Sequence, residues 1–121
     1  MSEDNGDKKT RVVTIHLNPG DIIITQGEKD ERLFMLKKGK LNVFIQKDGV
    51  NKKVGEVQTG ELFGEMAFID KNPRSATVAA ATESDVLIVT AQSFIRALEE
   101  QPEWMQQFIK TLIKRLRQYI P

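Results

Sequence analysis

The chain has 121 residues, of which 40% are hydrophobic and 29% are charged, and its 18 basic and 17 acidic side chains give a net charge of +1. This length suits a single domain, and the near-zero charge gives no reason to expect nucleic acid or a membrane surface as a partner. Because the sequence has no cysteine, disulfides, thiolate metal sites and cysteine nucleophiles are excluded, and a cytoplasmic location fits best.

Composition changes little along the chain once the first residues are passed. Residues 1–10 are polar and charged and lack the apolar run of a signal peptide, so we predict a flexible N-terminal arm there. Residues 11–121 then form one domain, with a β-barrel over 11–90 and helices over 91–120.

The pattern before Thr90 has a period of two that is broken every eight to twelve residues by turn residues, which is typical of a sandwich or barrel of short strands. Asp48-Gly49 is the strongest hairpin signal, because both central residues of a type I′ turn need a positive φ. Gly39 marks a second tight turn. The predicted strands cover 13–17, 22–24, 33–36, 41–45, a return strand ending near Val57, 75–81 and 86–89, and the last is apolar on both faces and therefore central.

Helical spacing begins after Thr90. Phe94, Ala97 and Leu98 lie on one face of a short helix that Pro102 ends, and a final helix follows. Its acidic start at Glu103 and its basic end complement the helix dipole. The basic residues of that end are Lys114, Arg115 and Arg117, and we interpret them as a solvated helix terminus.

The final helix carries an apolar stripe with two interpretations. A seam that steps by four and three resembles a coiled coil and suggests a homodimer, whereas a monomer would fold the stripe onto its own barrel. Trp104 and Phe108 are expected to face the barrel. The seam consists of Met105, Ile109, Leu112, Leu116 and Tyr119.

The segment 60–77 forms neither a clean strand nor a long helix, and it carries the chemistry. Gly64 followed by Glu65 can start one helical turn whose free backbone N–H groups bind anions. Asn72-Pro73 fixes a turn that places Arg74 where its guanidinium can reach the same anion. Glu65 would repel an anion unless its carboxylate had a donor of its own, and a ribose hydroxyl is such a donor. A sugar beside a phosphate predicts a nucleotide; a plain ion pair between Glu65 and Arg74 is the alternative.

These residues carry a family resemblance that covers roughly residues 15 to 120. The segments 60–67 and 73–77 resemble the phosphate-binding cassette of the cyclic nucleotide-binding domain family, which includes catabolite activators and protein kinase A regulatory subunits, and Pro19-Gly20-Asp21 resembles one of its barrel turns. The resemblance implies a mainly β fold with C-terminal α-helices, a jelly-roll (double-stranded β-helix) barrel flanked by short helices.

The resemblance also implies roles for individual residues. Glu65 would take the ribose 2′-hydroxyl, Arg74 the exocyclic phosphate oxygens, and Ser75 would add a hydroxyl contact. Val54 and Val57 fall where the family places apolar residues around sugar and base, although they could equally be core. The full set of expected ligand-binding residues is Phe63, Gly64, Glu65, Met66, Ala67, Arg74, Ser75 and Ala76, and candidates for capping the base are Gln107, Thr111 and Arg115.

We expect a stand-alone regulatory sensor that binds cAMP rather than cGMP, has no enzymatic activity and needs no cofactor or metal, and acts on an unidentified downstream protein. Ligand contact with both the cassette and the last helix is expected to draw the two together. Two other functions stay open. One is a nucleotide-free interaction module that works through its last helix; the other is a cupin-like metal enzyme, for which a single histidine, His16, is too few ligands.

Overall fold

A computed structural model describes residues 12–118. Eight strands come first: β1 Val13–Leu17, β2 Ile22–Ile24, β3 Leu33–Lys38, β4 Lys40–Lys47, β5 Val50–Gln58, β6 Leu62–Phe63, β7 Thr77–Ala80 and β8 Ser84–Val89. A short helix, α1 Glu65–Asp70, lies between β6 and β7, and α2 Ala91–Glu99 and α3 Glu103–Gln118 follow the barrel. The predicted N-terminal arm and Tyr119 lie outside the described residues.

The strands form two antiparallel four-stranded sheets, in the orders β1-β8-β3-β6 and β2-β7-β4-β5. Strands distant in sequence are neighbours in both sheets, which is the jelly-roll arrangement that the family resemblance implies. The strand that is apolar on both faces, β8, lies between β1 and β3 as expected for a central strand.

The core lies between the sheets and takes side chains from both. Phe34, Leu36, Leu41 and Val86 are fully buried at its centre, which matches the inward positions of the two-residue period. The other buried members of this cluster are Leu17, Ile24, Val57, Phe63, Val78 and Ala80.

Two turns confirm the backbone predictions. Asp48 and Gly49 both have positive φ, 55° and 79°, as a type I′ hairpin between β4 and β5 requires. At Gly39 the φ is 109°, and a Cβ would lie 2.2 Å from the Ser84 Oγ, so the chain can turn there only without a side chain.

The helices agree with the prediction in position, but α3 presents a different face. Trp104 is 67% exposed and Phe108 56% exposed, so the expectation that they face the barrel was wrong. The half-buried apolar side chains of α3 are Met105, Ile109 and Ile113, and the first two each directly follow one of the exposed aromatic residues. Because α3 packs mainly against α1, only one of these adjacent stripes can face the protein.

Candidate ligand-binding site

The site is built where β6 ends and α1 begins. Gly64 is the N-cap of α1 with φ 77°, a left-handed conformation that glycine adopts without strain. No side chain of residues 12–118 caps the first turn of α1, so its backbone N–H groups remain available to an acceptor. Lys71 ends the helix with φ 60°, and the loop through Pro73 then leads Arg74 back towards Gly64.

The close packing of Arg74 and Phe34 also requires a glycine at position 64. A Cβ at this position would lie 2.9 Å from the Nη1 of Arg74 and 3.0 Å from the Cδ2 of Phe34. The arginine therefore occupies the space that any other residue at position 64 would need.

Arg74 is the only charged residue among the buried side chains of the described chain, with 4% of its surface exposed. Its Nη1 donates to the Gly64 carbonyl at 2.8 Å, and its Nη2 donates to the Arg32 carbonyl at 2.7 Å. The same Nη2 lies 3.2 Å from the Oδ2 of Asp30. These contacts fix the guanidinium in one orientation, with the Phe34 ring centroid 5.5 Å from its Cζ.

One donor of this guanidinium is unused. The Nε of Arg74 is buried and has no hydrogen-bond partner within residues 12–118. A buried N–H without an acceptor costs about 1 to 3 kcal/mol, so such a group in a folded protein calls for an explanation. An anionic ligand that accepts from this Nε would remove that cost.

Asp30 accepts from two arginines. Arg32 contacts it through Nε to Oδ1 and Nη2 to Oδ2, both at 2.9 Å, and the Arg32 backbone N–H adds a third bond at 3.0 Å. Burial alone would raise the pKa of Asp30, but the hydrogen bonds from Arg32 and the positive charge of Arg74 lower it to about 2. Asp30 is therefore a carboxylate at neutral pH.

Arg74 lies on the wall of a pocket of about 780 Å³. This volume falls in the range of small-molecule sites. The predicted residues that line it are Val57, Phe63, Gly64, Glu65, Met66, Ala67, Arg74, Ser75 and Ala76.

Glu65 and Arg74 do not form the ion pair that was the alternative interpretation. Arg74 is paired with Asp30, while the half-buried Glu65 carboxylate forms no hydrogen bond or ion pair within the described part of the chain. The pocket therefore presents a carboxylate acceptor and a guanidinium donor that are not satisfied by each other.

Val54 is not brought to the pocket. Val43 of β4 lies opposite Gly55 and Phe44 lies opposite Lys53, so Val54 is the extra residue of a β-bulge. Its side chain is 50% exposed and lies outside the pocket lining.

The candidates for capping the base are also outside the lining. Gln107 donates to the Thr111 hydroxyl at 3.1 Å along the surface of α3, and Arg115 is exposed near the end of that helix.

Some site residues were missed by the sequence reasoning. The pocket has an apolar wall formed by Ile24, Val43 and Val78. The alternating sequence pattern predicts these three residues only as part of the core. Asp30 and Arg32 hold Arg74 from the loop before β3, and no local pattern reveals these contacts across 44 and 42 residues.

Comparison with known proteins identifies the family. The model of the cyclic nucleotide-binding domain matches residues 14–101. The chain belongs to this family. The match spans the barrel, the cassette and α2, and thus the whole pocket wall described above.

Two relatives illustrate the setting of this domain. A cAMP-dependent protein kinase regulatory subunit of Mycosarcoma maydis is 36% identical over 84 residues, covering 65% of this chain and 16% of the relative. A cyclic nucleotide-gated potassium channel of Rhizobium etli is 35% identical over 96 residues, covering 79% of this chain and 26% of the channel. The chain thus spans about a quarter or less of these relatives.

Solved structures agree in fold. The halfsite-occupied form of the EAL enzyme Bd1971 superposes with a TM-score of 0.80 at 30% identity, over 87% of this chain and 95% of that one. The cAMP-bound and cGMP-bound forms of Bd1971 give TM-scores of 0.65 and 0.66, also at 30% identity, each over 86% of this chain and 28% of theirs.

Residues 12–118 show neither a metal site nor a membrane-spanning helix. Within that range no three histidine, cysteine or acidic side chains are grouped so that they could hold a metal ion. His16 instead bonds Asp85 at 2.7 Å and Glu83 at 2.9 Å on the barrel surface. None of the described helices is both long and apolar enough to cross a bilayer.

Proposed function

We propose that the pocket binds a cyclic mononucleotide, with Arg74 holding the cyclic phosphate and Glu65 the ribose 2′-hydroxyl. The observation that carries this proposal is the buried guanidinium of Arg74, a residue of the pocket lining whose Nε has no acceptor within the described residues. A phosphate oxygen is an acceptor with matching charge.

The rest of the pocket suits the remaining parts of such a ligand. The uncapped first turn of α1 offers the backbone N–H groups of Glu65, Met66 and Ala67 to a phosphate, and the adjacent Ser75 adds a hydroxyl. Glu65, which has no partner in the described part of the chain, is an acceptor for a sugar hydroxyl. Val57 and Phe63 provide apolar surface for the ribose and the base.

The names of the relatives favour cyclic nucleotides over other sugar phosphates. Kinase regulatory subunits named for cAMP, kinases named for cGMP and a cyclic nucleotide-gated channel all match this sequence. We propose cAMP as the preferred ligand. Bd1971 has both a cAMP-bound and a cGMP-bound form, so titration of both nucleotides in solution tests the proposed preference.

The domain acts as a regulatory sensor in the cytoplasm and performs no reaction itself, with no cofactor beyond the bound nucleotide. The matched relatives are regulatory subunits, kinases, channels and an enzyme, which supports a role in which catalysis or conduction lies outside this domain. The absence of cysteine fits a reducing compartment.

The last helix provides the output in this proposal. The Nε of Arg117 donates to the Ile69 carbonyl at 2.5 Å, so α3 is already joined to the cassette helix α1. Nucleotide at the first turn of α1 strengthens this contact, because a ligand shifts the population towards the state it binds better. Hydrogen exchange in α3 should slow on nucleotide addition; unchanged exchange would argue against this output.

A second copy of the chain is the proposed partner of α3. Of the seam predicted from the sequence, Met105 and Ile109 are half-buried instead of exposed. The other two described seam residues, Leu112 and Leu116, join Trp104 and Phe108 in a stripe that is 44 to 67% exposed and can pair with the same stripe of another molecule. Light scattering at micromolar concentration should give the mass of a dimer, and a mass equal to one chain would refute this pairing.

Calorimetric titration of the wild-type chain with cAMP, cGMP and the open-chain 5′-AMP tests the proposed function. We expect saturable 1:1 binding of a cyclic nucleotide and much weaker binding of 5′-AMP. If neither cAMP nor cGMP gave a heat of binding, the result would favour the alternative of a nucleotide-free interaction module.

A further inference from the structure

Arg74 shares its carboxylate partner with a second arginine, and the sharing is unequal. Asp30 receives two side-chain bonds from Arg32, both at 2.9 Å, but only one longer contact of 3.2 Å from Arg74. A two-pronged arginine-carboxylate pair is the stronger arrangement. Asp30 is thus engaged mainly by Arg32.

The geometry points to Arg32 as a positioning residue that occupies the Asp30 carboxylate and so leaves the positive charge of Arg74 available to the phosphate. This inference rests on the proposed function, because it concerns the strength with which that site holds an anion.

The net charge of the two arginines and Asp30 explains why Arg32 affects phosphate binding. Asp30, Arg32 and Arg74 together carry one net positive charge, and two of the three lie largely out of water: Arg74 has 3% of its side chain exposed and Asp30 has 17%. Without Arg32, the carboxylate would face Arg74 alone and neutralise it. A phosphate would then have to compete with Asp30 for the same guanidinium.

Arg32 acts through its neighbours and does not touch the ligand. It lies outside the pocket lining, and 43% of its side chain is exposed. Its guanidinium lies 5.2 Å from the Phe34 ring centroid, and its backbone carbonyl accepts from the Nη2 of Arg74 at 2.7 Å. Arg32 thus contributes a charge partner for Asp30 and an anchor for Arg74 from the same residue.

Calorimetric titration of cAMP and cGMP against four chains tests this role: wild type, Arg32→Ala, the double variant Asp30→Asn/Arg32→Ala, and Lys29→Ala. Lys29 is an exposed lysine of the same loop and controls for the loss of one positive charge. Thermal unfolding without nucleotide shows whether each variant is folded, and Arg32→Gln, which keeps most of the side-chain stem, replaces Arg32→Ala if the alanine variant is unfolded.

We expect Arg32→Ala to weaken nucleotide binding about tenfold, the scale of one charge-assisted interaction. The double variant should return to within about threefold of wild type, because the net charge of the group is again +1, and Lys29→Ala should match wild type. A purely structural role of Arg32 would not be rescued by a second substitution.

Two results would overturn the inference while leaving the proposed function intact. One is wild-type affinity in Arg32→Ala; the other is a double variant that binds as weakly as Arg32→Ala. Failure of the wild-type chain to bind either nucleotide would instead refute the proposed function, and this inference with it.

Discussion

The guanidinium of Arg74 lies 3.2 Å from the carboxylate of Asp30, a residue 44 positions earlier in the chain, and Asp30, which also binds Arg32, rather than Glu65 is the acidic partner of this buried charge. A buried cation needs such a partner, since an unpaired one would cost several kcal/mol. Because Asp30 approaches from the loop before β3, the Glu65 carboxylate in the pocket has no ion-pair partner among residues 12–118. The two acidic residues thus have separate tasks.

Acid should weaken the fold through Asp30. Its pKa is about 2 in the folded chain against an ordinary value of 3.8, so the stability it contributes is complete above pH 3.8 and is lost as the pH falls towards 2. We predict that the difference in free energy of unfolding between wild type and Asp30→Asn narrows across this interval, as measured by denaturant titration. A constant difference would show that Asp30 is not held as a carboxylate by its arginines.

Gly64→Ala should lower both stability and nucleotide affinity. The backbone at φ 77° disfavours an L-residue by about 1 to 2 kcal/mol, and the new methyl group also meets Arg74 and Phe34 at 2.9 and 3.0 Å. Gly20→Ala is the matched control, because its φ is 93° but, apart from its chain neighbours, no described residue lies within 4 Å of the new Cβ. Equal losses of stability in the two variants, measured by urea unfolding, would mean that position 64 imposes no steric demand.

Glu65→Gln should weaken nucleotide binding by about 1.5 to 3 kcal/mol with little effect on stability, because the carboxylate has no partner to lose within the described residues. The 2′-deoxy nucleotide provides the control. It should bind wild type about as weakly as the normal nucleotide binds Glu65→Gln, and the substitution should then cause no further loss. Additive losses would place Glu65 away from the 2′-hydroxyl.

His16 should titrate above its ordinary pKa of 6.5. Hydrogen bonds to Asp85 and then to Glu83 favour the imidazolium and raise the pKa. The stability gained from these pairs is therefore present below pH 6.5 and lost as the pH rises through the higher folded value. An NMR titration should show a midpoint above 6.5 that falls in Asp85→Asn; a midpoint unchanged by this substitution would contradict the assignment.

The sequence allowed most of the barrel to be predicted because its signals are local. Alternation marks β1 and β4, the type I′ turn is encoded by Asp48 and Gly49, and the run Val86–Val89 indicates a strand buried on both faces. The strand β6 was not predicted, because two residues are too few to show a period and are held by pairing with Phe34 and Met35.

Features that depend on distant contacts could not be predicted. The cassette is one continuous segment and so could be recognised, whereas Asp30 and Arg32 reach Arg74 only after β3 and β7 are placed in their sheets. The bulge at Val54 shifts the register of β5 by one residue. Alternation counted along the sequence does not show this extra residue, so the face on which Val54 lies could not be predicted. The outward stripe of α3 is set by its packing on α1, since either of two adjacent apolar stripes could have been buried.

The affinity of Arg74→Ala for cAMP and cGMP, measured by calorimetry beside wild type, tests whether Arg74 holds the phosphate. Arg96→Ala is the control, because it removes an arginine of α2 outside the pocket lining. We predict a loss of about 2 to 5 kcal/mol in Arg74→Ala, because the buried charge that pairs with the phosphate is gone, and wild-type affinity in Arg96→Ala. Equal affinities in wild type and Arg74→Ala would contradict the central claim that this guanidinium holds the cyclic phosphate.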